Sequence, residues 1–367
     1  MKRLLTFLLI MSMASLALAN TTYYVDDATG NDSDSGLTEG DAFKTVSHAE
    51  DTVIAGDLVY VKAGTYSTEH GSNDAVLQLQ TPGGATNPIT YTGYSSTPGD
   101  GTPGIVILDA GPNALTNAIQ DGSIEGYHQF SYFRFTGASG IGVDFESHGR
   151  FSTFYGCRSD NNGSHGWYLK QHTDATLCQS DNNTGRGFVF GGSAKLDSCV
   201  IFSNSNIGAV FFEQSSISNS LIYDNTGDQL SPASTNALIK NCTIDGGGSQ
   251  IGVDFGQSGA QIINCIITSC TVGIAGEAGA TSNSISINNL FYDNGTDRTN
   301  WPTDASDISA DPLFVGPPDY SLGTGSPALE AGIGVGVIDG ITSTSYIDIG
   351  AQQAEPTGGT TVIVIDD

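Results

Sequence analysis

The sequence predicts an all-β protein, a single-stranded right-handed parallel β-helix, and two observations carry that prediction. The stretch from Thr136 to Asn300 repeats one pattern, in which Cys157, Cys178 and Cys199 follow one another at intervals of 21 positions. Each repeat holds two short apolar runs separated by Asp, Asn, Gly and Ser, and no run has the length of a helix. A repeat of about 20–25 residues is typical of a solenoid, and we expect roughly eight to eleven coils.

Three residue types recur at a fixed phase of the repeat, and each predicts a column of stacked side chains. The cysteines predict buried thiols facing inward, because buried Cys packs as a small hydrophobe; a bridge between adjacent coils, or between Cys265 and Cys270, is the alternative that export would permit. The glycines predict sharp bends, and the asparagines predict amides bonded to one another at the strand spacing of about 4.8 Å. These residues are Gly166, Gly187 and Gly208, Asn161 with Asn182, and Asn162 with Asn183 and Asn204.

The composition and the first residues indicate an exported protein. The chain has 39 Asp plus Glu against 12 Lys plus Arg, a formal charge of −27, which excludes nucleic acid and anionic membranes as partners. Residues 1–19 have a basic start, a short apolar run and a small-residue end, as in a secretory signal cleaved after Ala19. Cleavage would remove Lys2 and Arg3 and bring the charge to about −29. We expect an extracellular or cell-surface monomer without membrane insertion.

Residues 20–66 precede the coils and contain a strand, an acidic loop and a helix. Thr22–Val25 is the predicted strand. The loop after it has carboxylates like those of a calcium site but lacks the spacing of an EF-hand, which favours a solvated turn. Asp41 to Ala55 place apolar residues on one helical face and end at Gly56, so we expect an amphipathic helix that covers the open end of the solenoid.

The rest of the mature chain divides into coils and a closing segment. Residues 67–300 are assigned to the parallel β-helix, with less regular coils up to Gln129. Residues 301–354 are assigned to a closing segment, of which Pro312 to Ala351 is expected to fold back over the last coil. Residues 355–367 form a Gly/Thr-rich tail whose order the sequence leaves open.

Both ends of the chain resemble a known superfamily. The stretch YYVDDATGNDSDSGLTEGDAFKTVSHAEDTVIAGDLVYVKAGTY, Tyr23 to Tyr66, is similar to the opening of secreted right-handed β-helix proteins of the pectate-lyase-like superfamily. The segment DPLFVGPPDYSLGTGSPALEAG with DIGA, Asp311 to Ala351, is similar to the closing segment of many such bacterial proteins. Together with the coils, the resemblance covers nearly all of the mature chain. It implies a secreted β-helix with an extracellular polysaccharide as partner, although a fold does not fix a chemistry.

One outward-facing patch gathers the residues best suited to chemistry. Alternate side chains of a strand point outward, and residues 21 apart are neighbours in a solenoid of this period. Few basic side chains exist in this chain, so several of them close together mark a candidate site, in which Tyr168 and Arg150 would contact substrate. The patch comprises Asp144, Glu146, Tyr168 and Lys170, with His165 and Arg186 on the turns just ahead and Arg150 close by.

The first chemical hypothesis is β-elimination of a uronate-containing polysaccharide. That reaction needs a base to remove the proton next to the sugar carboxylate and a cation to neutralise the carboxylate. Lys170 is the candidate base, with its pKa lowered by Arg186. Arg186, or calcium bound by Asp144 and Glu146, would neutralise the carboxylate, and His165 belongs to the same catalytic set.

A local resemblance supports this hypothesis. CRSDNNGSHGWYL, Cys157 to Leu169, is similar to a stretch of family 9 polysaccharide lyases. The resemblance implies a calcium site made by an acidic pair before the Gly and an Asp two residues after it; this chain has Ser164, His165 and Tyr168 at those positions. It also implies a catalytic Lys about two coils further on, for which Lys195 is the nearest candidate.

Two other functions remain open. In glycoside hydrolysis, Asp144 and Glu146 would act as a pair with their carboxyls roughly 6–7 Å apart, the short end of the inverting range. A non-catalytic surface protein would bind a glycan along its long face, and the closing segment resembles those of anchored exoproteins. Asp160 and Asp181, by contrast, are interpreted as caps of turn amides.

Overall fold

The computed structural model is an all-β parallel β-solenoid, as the repeat predicts. Its strands form three long parallel sheets, which we call sheets A, B and C and which contain 11, 11 and 10 strands. Each coil contributes one strand to each sheet in the order A, B, C. The structure describes residues 20–122, 126–146, 150–248, 250–257, 259–277, 283–316, 319–333 and 348–351.

The strands are short, and most contain three residues. Sheet A consists of Thr22–Val25, Leu58–Lys62, Ile89–Tyr94, His128–Ser131, Thr153–Tyr155, Asp174–Thr176, Lys195–Asp197, Ser216–Ser218, Leu238–Lys240, Gln261–Ile263 and Ile285–Ile287. Sheet B consists of Gly64–Tyr66, Val106–Asp109, Phe133–Thr136, Arg158–Asp160, Gln179–Asp181, Val200–Phe202, Leu221–Tyr223, Thr243–Asp245, Ile266–Thr268, Leu290–Tyr292 and Ile308–Ser309. Sheet C consists of Ala75–Leu79, Asn117–Asp121, Val143–Phe145, Trp167–Leu169, Phe188–Phe190, Ala209–Phe211, Leu230–Pro232, Ile251–Phe255, Val272–Gly276 and Thr296–Thr299.

The interior is a stack of apolar side chains held at the coil spacing. In sheet C, Trp167 pairs with Phe188, 21 residues on, and their rings stack with centroids 5.2 Å apart. Phe130 and Phe154 stack in the same way from sheet A at 5.4 Å. Each ring is almost fully buried, and burial of such a side chain contributes roughly 1.5–3 kcal/mol.

The predicted thiol column is present. All six cysteines are free and buried. Cys157, Cys178 and Cys199 follow one another up the interior, and burial raises the pKa of Cys199 to about 12. The next coil has Ser220 at this position, whose hydroxyl accepts the backbone N–H of Cys199 at 3.0 Å. The cysteines therefore act as core residues, as predicted, and no bridge forms.

The predicted amide column also exists, but it has one row of asparagines rather than two. We define the amide column as Asn162, Asn183, Asn204 and Asn225. All four are buried, and each side-chain N–H donates to the Oδ1 of the next at 2.9 Å. The other predicted row does not self-associate, because the Asn161 and Asn182 amides donate to the preceding aspartates. A second column, which the sequence analysis missed, links Asn219, Asn241, Asn264 and Asn288.

Asp160 and Asp181 accept the side-chain amides of Asn161 and Asn182 at the turns, and they also bind guanidinium groups, which was not predicted. Both carboxylates are buried on the outer face of sheet B. Arg134 approaches Asp160 at 2.7 Å, and Arg158 approaches Asp181 at 2.9 Å. A buried carboxylate is stable only when it is paired and hydrogen-bonded, and these arginines supply the pairing.

The N-terminal helix is shorter than predicted. It spans Val46–Thr52 rather than 41–55, because the Thr45 hydroxyl caps its first turn by accepting the N–H of His48. Asp41 belongs instead to a short 3-10 turn, Glu39–Asp41, and a second one spans Gly111–Asn113. The helix buries Val46 and packs against the first strands of the solenoid; closure of the open end by this helix stays a prediction. Within the described ranges, no helix has the length and hydropathy to cross a membrane.

Glu50 ties this helix to the coils. It is fully buried and accepts the backbone N–H groups of Gln80 and Thr81 at 2.7 and 2.8 Å, together with the hydroxyl of Tyr91. Burial raises the pKa of Glu50 to about 7 despite these three donors. Its role was not predicted from the sequence.

The acidic loop after the first strand is held by internal bonds. Asp26 pairs with Lys62 at 2.8 Å, and Asp32 accepts the N–H groups of Lys44 and Thr45 at 2.8 and 2.9 Å. These bonds give the two carboxylates a structural role in the turn.

The closing segment lies along the side of the solenoid. It contains an antiparallel pair, Phe314–Gly316 with Asp319–Leu322, and the Tyr320 hydroxyl donates to Asp245 of sheet B at 2.9 Å. Its buried residues pack with Ile266 and Leu290 on the outer face of that sheet. The expected position over the last coil is therefore replaced, for the described residues, by a position beside several coils. Residues 1–19 and 355–367, assigned to the signal and the tail, lie outside the described residues.

Candidate functional site

The predicted patch assembles on the outer face of sheet C. Asp144 and Tyr168 are paired in register, and Val189 and Val210 continue the row; we call these four residues the sheet-C row. The Lys170 ammonium lies 3.4 Å from Glu146 Oε1 and 5.1 Å from the centre of the Tyr168 ring. The four residues at the heart of the prediction are therefore neighbours.

A recurring glycine sets which side chains of this strand face outward. A Cβ atom on Gly166 would lie 2.7 Å from the amide nitrogen of Asn183 and 2.8 Å from the carbonyl oxygen of Gly187. Only glycine fits so close to the amide column. The strand that follows then points Trp167 into the core and Tyr168 outward, as the alternation predicts.

Asp144 has the most perturbed carboxyl of the patch. Burial, together with the nearby carboxylates of Asp121 and Glu146, raises the pKa of Asp144 to about 6. The backbone N–H of Glu146 donates to Asp144 Oδ1 at 3.3 Å, and Lys170 opposes the rise without cancelling it. Asp144 can therefore exchange a proton near neutral pH, as acid–base catalysis requires.

Lys170 differs from the predicted base. Burial lowers its pKa, but Tyr168 and Glu146 outweigh burial, so the pKa of Lys170 lies above its ordinary value. Arg186 was predicted to lower the pKa of Lys170, but the two side chains lie at opposite ends of their strands. Arg186 precedes the strand Phe188–Phe190 by two residues, whereas Lys170 follows the strand Trp167–Leu169. In register the two positions are five residues apart, roughly 16 Å along the strand direction. Lys170 is therefore held as a cation.

His165 reaches the edge of the patch in a fixed tautomer. Its Nδ1 accepts the backbone N–H of Arg186 at 3.1 Å, and its ring lies 6.4 Å from that of Tyr168. Burial and the Arg186 cation lower the pKa of His165, so the ring is neutral at pH 7 and carries its proton on Nε2. His165 can donate a hydrogen bond there but is not set up as a base.

Of the two remaining basic candidates, Lys195 lies on another sheet, and Arg150 lies on a turn one coil from Gln171, so its substrate contact stays a prediction. Lys195 is exposed on sheet A, where its backbone N–H donates to Asp174 at 3.0 Å. Arg150 lies on the turn from sheet C to sheet A, and its carbonyl accepts the N–H of Tyr127. The spacing of the repeat did not predict the sheet to which Lys195 belongs. The pairing of the strands places it on sheet A rather than sheet C.

A groove of about 740 Å³ opens beside Tyr168 and Lys170. Tyr168 and Lys170 are the predicted residues in its lining, and nine others were not predicted, four of them with large side chains. Phe212 is in register with Lys170 through Gly191, so an alignment of the coils one residue past the strand would have found it. These four are Gln171, Phe212, Glu213 and Gln257.

The carboxylates of the patch are poorly arranged for calcium. Calcium takes six to eight oxygen ligands, whereas among the described residues no three His, Cys, Asp or Glu side chains gather as a metal site. Glu146 faces a cation, and Asp144 is partly protonated near neutral pH. The calcium role of these two residues stays a prediction.

Comparison with known proteins supports the fold. No protein-family model matches the sequence, and no curated protein matches it. Among solved structures, the chain is similar to pectate lyase Pel9A, with a TM-score of 0.68, 16% identity and coverage of 92% of this chain and 98% of that chain. It is also similar to XylC in complex with xylose, with a TM-score of 0.51, 9% identity and coverage of 80% and 87%. The resemblance to pectate-lyase-like proteins is thus confirmed for the fold.

Proposed function

We propose that this protein is a secreted, right-handed β-helix enzyme that hydrolyses an extracellular polysaccharide held along sheet C. The observation that carries the proposal is the carboxylate pair, Asp144 with a pKa near 6 and Glu146 facing the Lys170 cation. Two carboxyls in contrasting environments are the usual acid and base of glycoside hydrolysis. The fold likeness to a pectate lyase and to a xylose-bound protein, and the leader-like residues 1–19, support the substrate class and the location.

In this reaction Asp144 is the acid and Glu146 is the base. Protonated Asp144 gives its proton to the glycosidic oxygen while the bond from that oxygen to the anomeric carbon breaks. Glu146 takes a proton from the water that attacks the same carbon, so one water is consumed for each bond cleaved. Positions two apart along a strand place the carboxyls roughly 6–7 Å apart, at the short end of the inverting spacing. Lys170 keeps a positive charge beside Glu146, and Tyr168 offers a ring to the sugar.

β-Elimination is a second candidate, favoured by the likeness to pectate lyase Pel9A over nearly the whole chain. With Lys170 as the base, the amine must be unprotonated, and its raised pKa means that few molecules meet this condition at pH 7. Lyase activity would therefore increase with pH in the alkaline range. Hydrolysis behaves oppositely, because Asp144 loses its proton as the pH rises through about 6.

The test is a substrate panel measured from pH 5 to pH 9. The mature protein is incubated with neutral glucans and xylans and with pectate, alginate and chondroitin, with and without calcium. New reducing ends without ultraviolet absorbance, decreasing above pH 6, support hydrolysis. Absorbance from an unsaturated uronide that increases with pH supports the lyase, and retention on a glycan gel without cleavage supports a binding protein. Lyase activity that survives both Lys170→Ala and Lys195→Ala would exclude these lysines as bases.

A further inference from the structure

The turn from sheet C to sheet A carries a strip of stacked rings that the proposed reaction does not use. The rings belong to Tyr127, Phe151 and His172, one from each of three successive coils; we call them the aromatic strip. Tyr127 and Phe151 stack with centroids 4.9 Å apart and an interplanar angle of 8°, and Phe151 and His172 with 5.0 Å and 7°. The strip thus runs parallel to the axis of the solenoid.

The strip is strained and exposed, unlike the aromatic stacks of the core. The φ angles of Tyr127, Phe151 and His172 are 64°, 56° and 63°, the left-handed region that costs L-residues roughly 1–2 kcal/mol. Phe151 is 41% exposed, so its ring gains less from burial than a core ring does. Positive φ also occurs at many other coil turns of this chain, so the exposed stack of rings, rather than the backbone conformation, distinguishes the strip.

The strip ends where a groove begins. In the coil after His172 the equivalent turn residue is Ser193, with a φ of 66°, whose small side chain cannot continue the stack. A second groove of about 400 Å³ is lined there by His172, Ser193 and Gln214, and it shares Gln171, Gly192, Glu213 and Thr235 with the groove beside Lys170. Because His172 follows Lys170 by two residues, the strip leads directly to the candidate site.

We propose that the aromatic strip and this second groove form a binding subsite for a neutral polysaccharide chain, beyond the point of cleavage. The inference rests on the proposed function. Rings pack against the C–H faces of sugars, and the Gln, Ser and Thr side chains of the groove match sugar hydroxyls. A polyanion is disfavoured, because Glu213 lines both grooves and the whole chain carries −27.

The test removes one ring without disturbing the turn. Phe151→Ser introduces the residue that Ser193 already provides at this turn, so the backbone conformation is tolerated. The control is Tyr155→Ser, which removes a ring of similar exposure, 40%, from the outer face of sheet A. Binding of neutral oligosaccharides of increasing length is measured by affinity electrophoresis, and KM and kcat are measured where cleavage occurs.

Phe151→Ser should weaken the binding of long neutral chains by about 3- to 10-fold, equivalent to one lost aromatic contact. Short oligosaccharides should be unaffected, kcat should be unchanged, and Tyr155→Ser should behave as the parent protein. Equal behaviour of Phe151→Ser and Tyr155→Ser on a glycan that the parent binds would overturn the subsite and leave the proposed function standing. Loss of binding in Phe151→Ser alone, with no cleavage by the parent, would support the subsite and remove the hydrolase. No binding by the parent to any neutral glycan would overturn the subsite, whereas the proposed function is overturned only if no polysaccharide of the panel, neutral or acidic, is cleaved.

Discussion

The amide column and the sheet-C row share three successive coils, those of Tyr168, Val189 and Val210, yet they contrast in composition. The amide column repeats one residue type in four coils, is buried, and bonds each member to the next at 2.9 Å. The sheet-C row changes from an acid to an aromatic to two valines on the outer face of the sheet, where Asp144 and Tyr168 are half-buried and the two valines are almost fully covered. Each asparagine of the column bonds to the asparagine of the next coil, so every coil needs the same self-complementary side chain. The row has no such bonds from coil to coil, so its residue type can change, and the candidate catalytic residues lie there.

The largest expected effect comes from the row. Asp144→Asn keeps the size of the side chain but cannot give up a proton, so glycan cleavage should decrease by roughly 10²- to 10⁴-fold. The melting temperature should change little, because Asp144 lies outside the core. Steady-state kinetics and a thermal melt provide the two measurements. Cleavage within a factor of two of the parent protein would remove Asp144 from the mechanism.

Substitutions in the amide column should have the opposite effect: they should lower the free energy of unfolding and leave glycan cleavage unchanged. Asn183→Ala deletes the bonds to Asn162 and Asn204 and leaves buried polar groups without partners, which should cost roughly 2–4 kcal/mol of unfolding free energy. Denaturant titration measures this change. Asn206→Ala, an exposed amide in the next coil, is the control and should cost less than about 0.5 kcal/mol. Similar losses in both variants would contradict a structural role for the column.

Glu50 provides a third case beside the amide column and the sheet-C row, because it is a buried acid that has no equivalent residue in the next coil. Its folded pKa of about 7 lies above the ordinary value of 4.5, so its contribution to stability is fully present below pH 4.5 and is lost as the pH rises through 7. Glu50→Gln removes that dependence and should be more stable than the parent by about 2–3 kcal/mol at pH 8. Denaturant titrations at pH 5 and pH 8 report the difference. An unchanged pH dependence in the variant would show that Glu50 does not titrate in this range.

The smallest effect is expected in the thiol column. Cys178→Ser should cost less than about 1.5 kcal/mol, because Ser220 already occupies an equivalent position and donates to the carbonyl of Ser218 at 2.7 Å. The introduced hydroxyl can reach the carbonyl of Thr176 in the same way, where the Cys178 thiol lies at 3.4 Å. The unfolding midpoint measures the cost. A loss of several kcal/mol would mean that the column needs sulfur specifically.

Much of the fold was predictable from the sequence, and the site was predictable in part. The recurring Gly before each strand set the phase that placed Asp144, Tyr168 and Lys170 together, because backbone pairing makes residues at the same phase of successive coils neighbours. The spacing could not assign Lys195 to its sheet, since that depends on where each coil turns. The strip of rings was missed because its members, Tyr127, Phe151 and His172, are three different residue types at intervals of 24 and 21 positions, so no repeated residue marks it.

The sequence by itself determined the parallel solenoid, its thiol column and one of its amide columns, because strand pairing between successive coils places identical residues of the repeat next to one another. Only the tertiary structure decided the protonation of the site and the pairing of its charges. Those properties depend on burial and on the distances between charged groups, such as Asp121 to Asp144 and Glu146 to Lys170. A pKa depends on burial and on the distance to nearby charges, and neither can be obtained from the sequence alone.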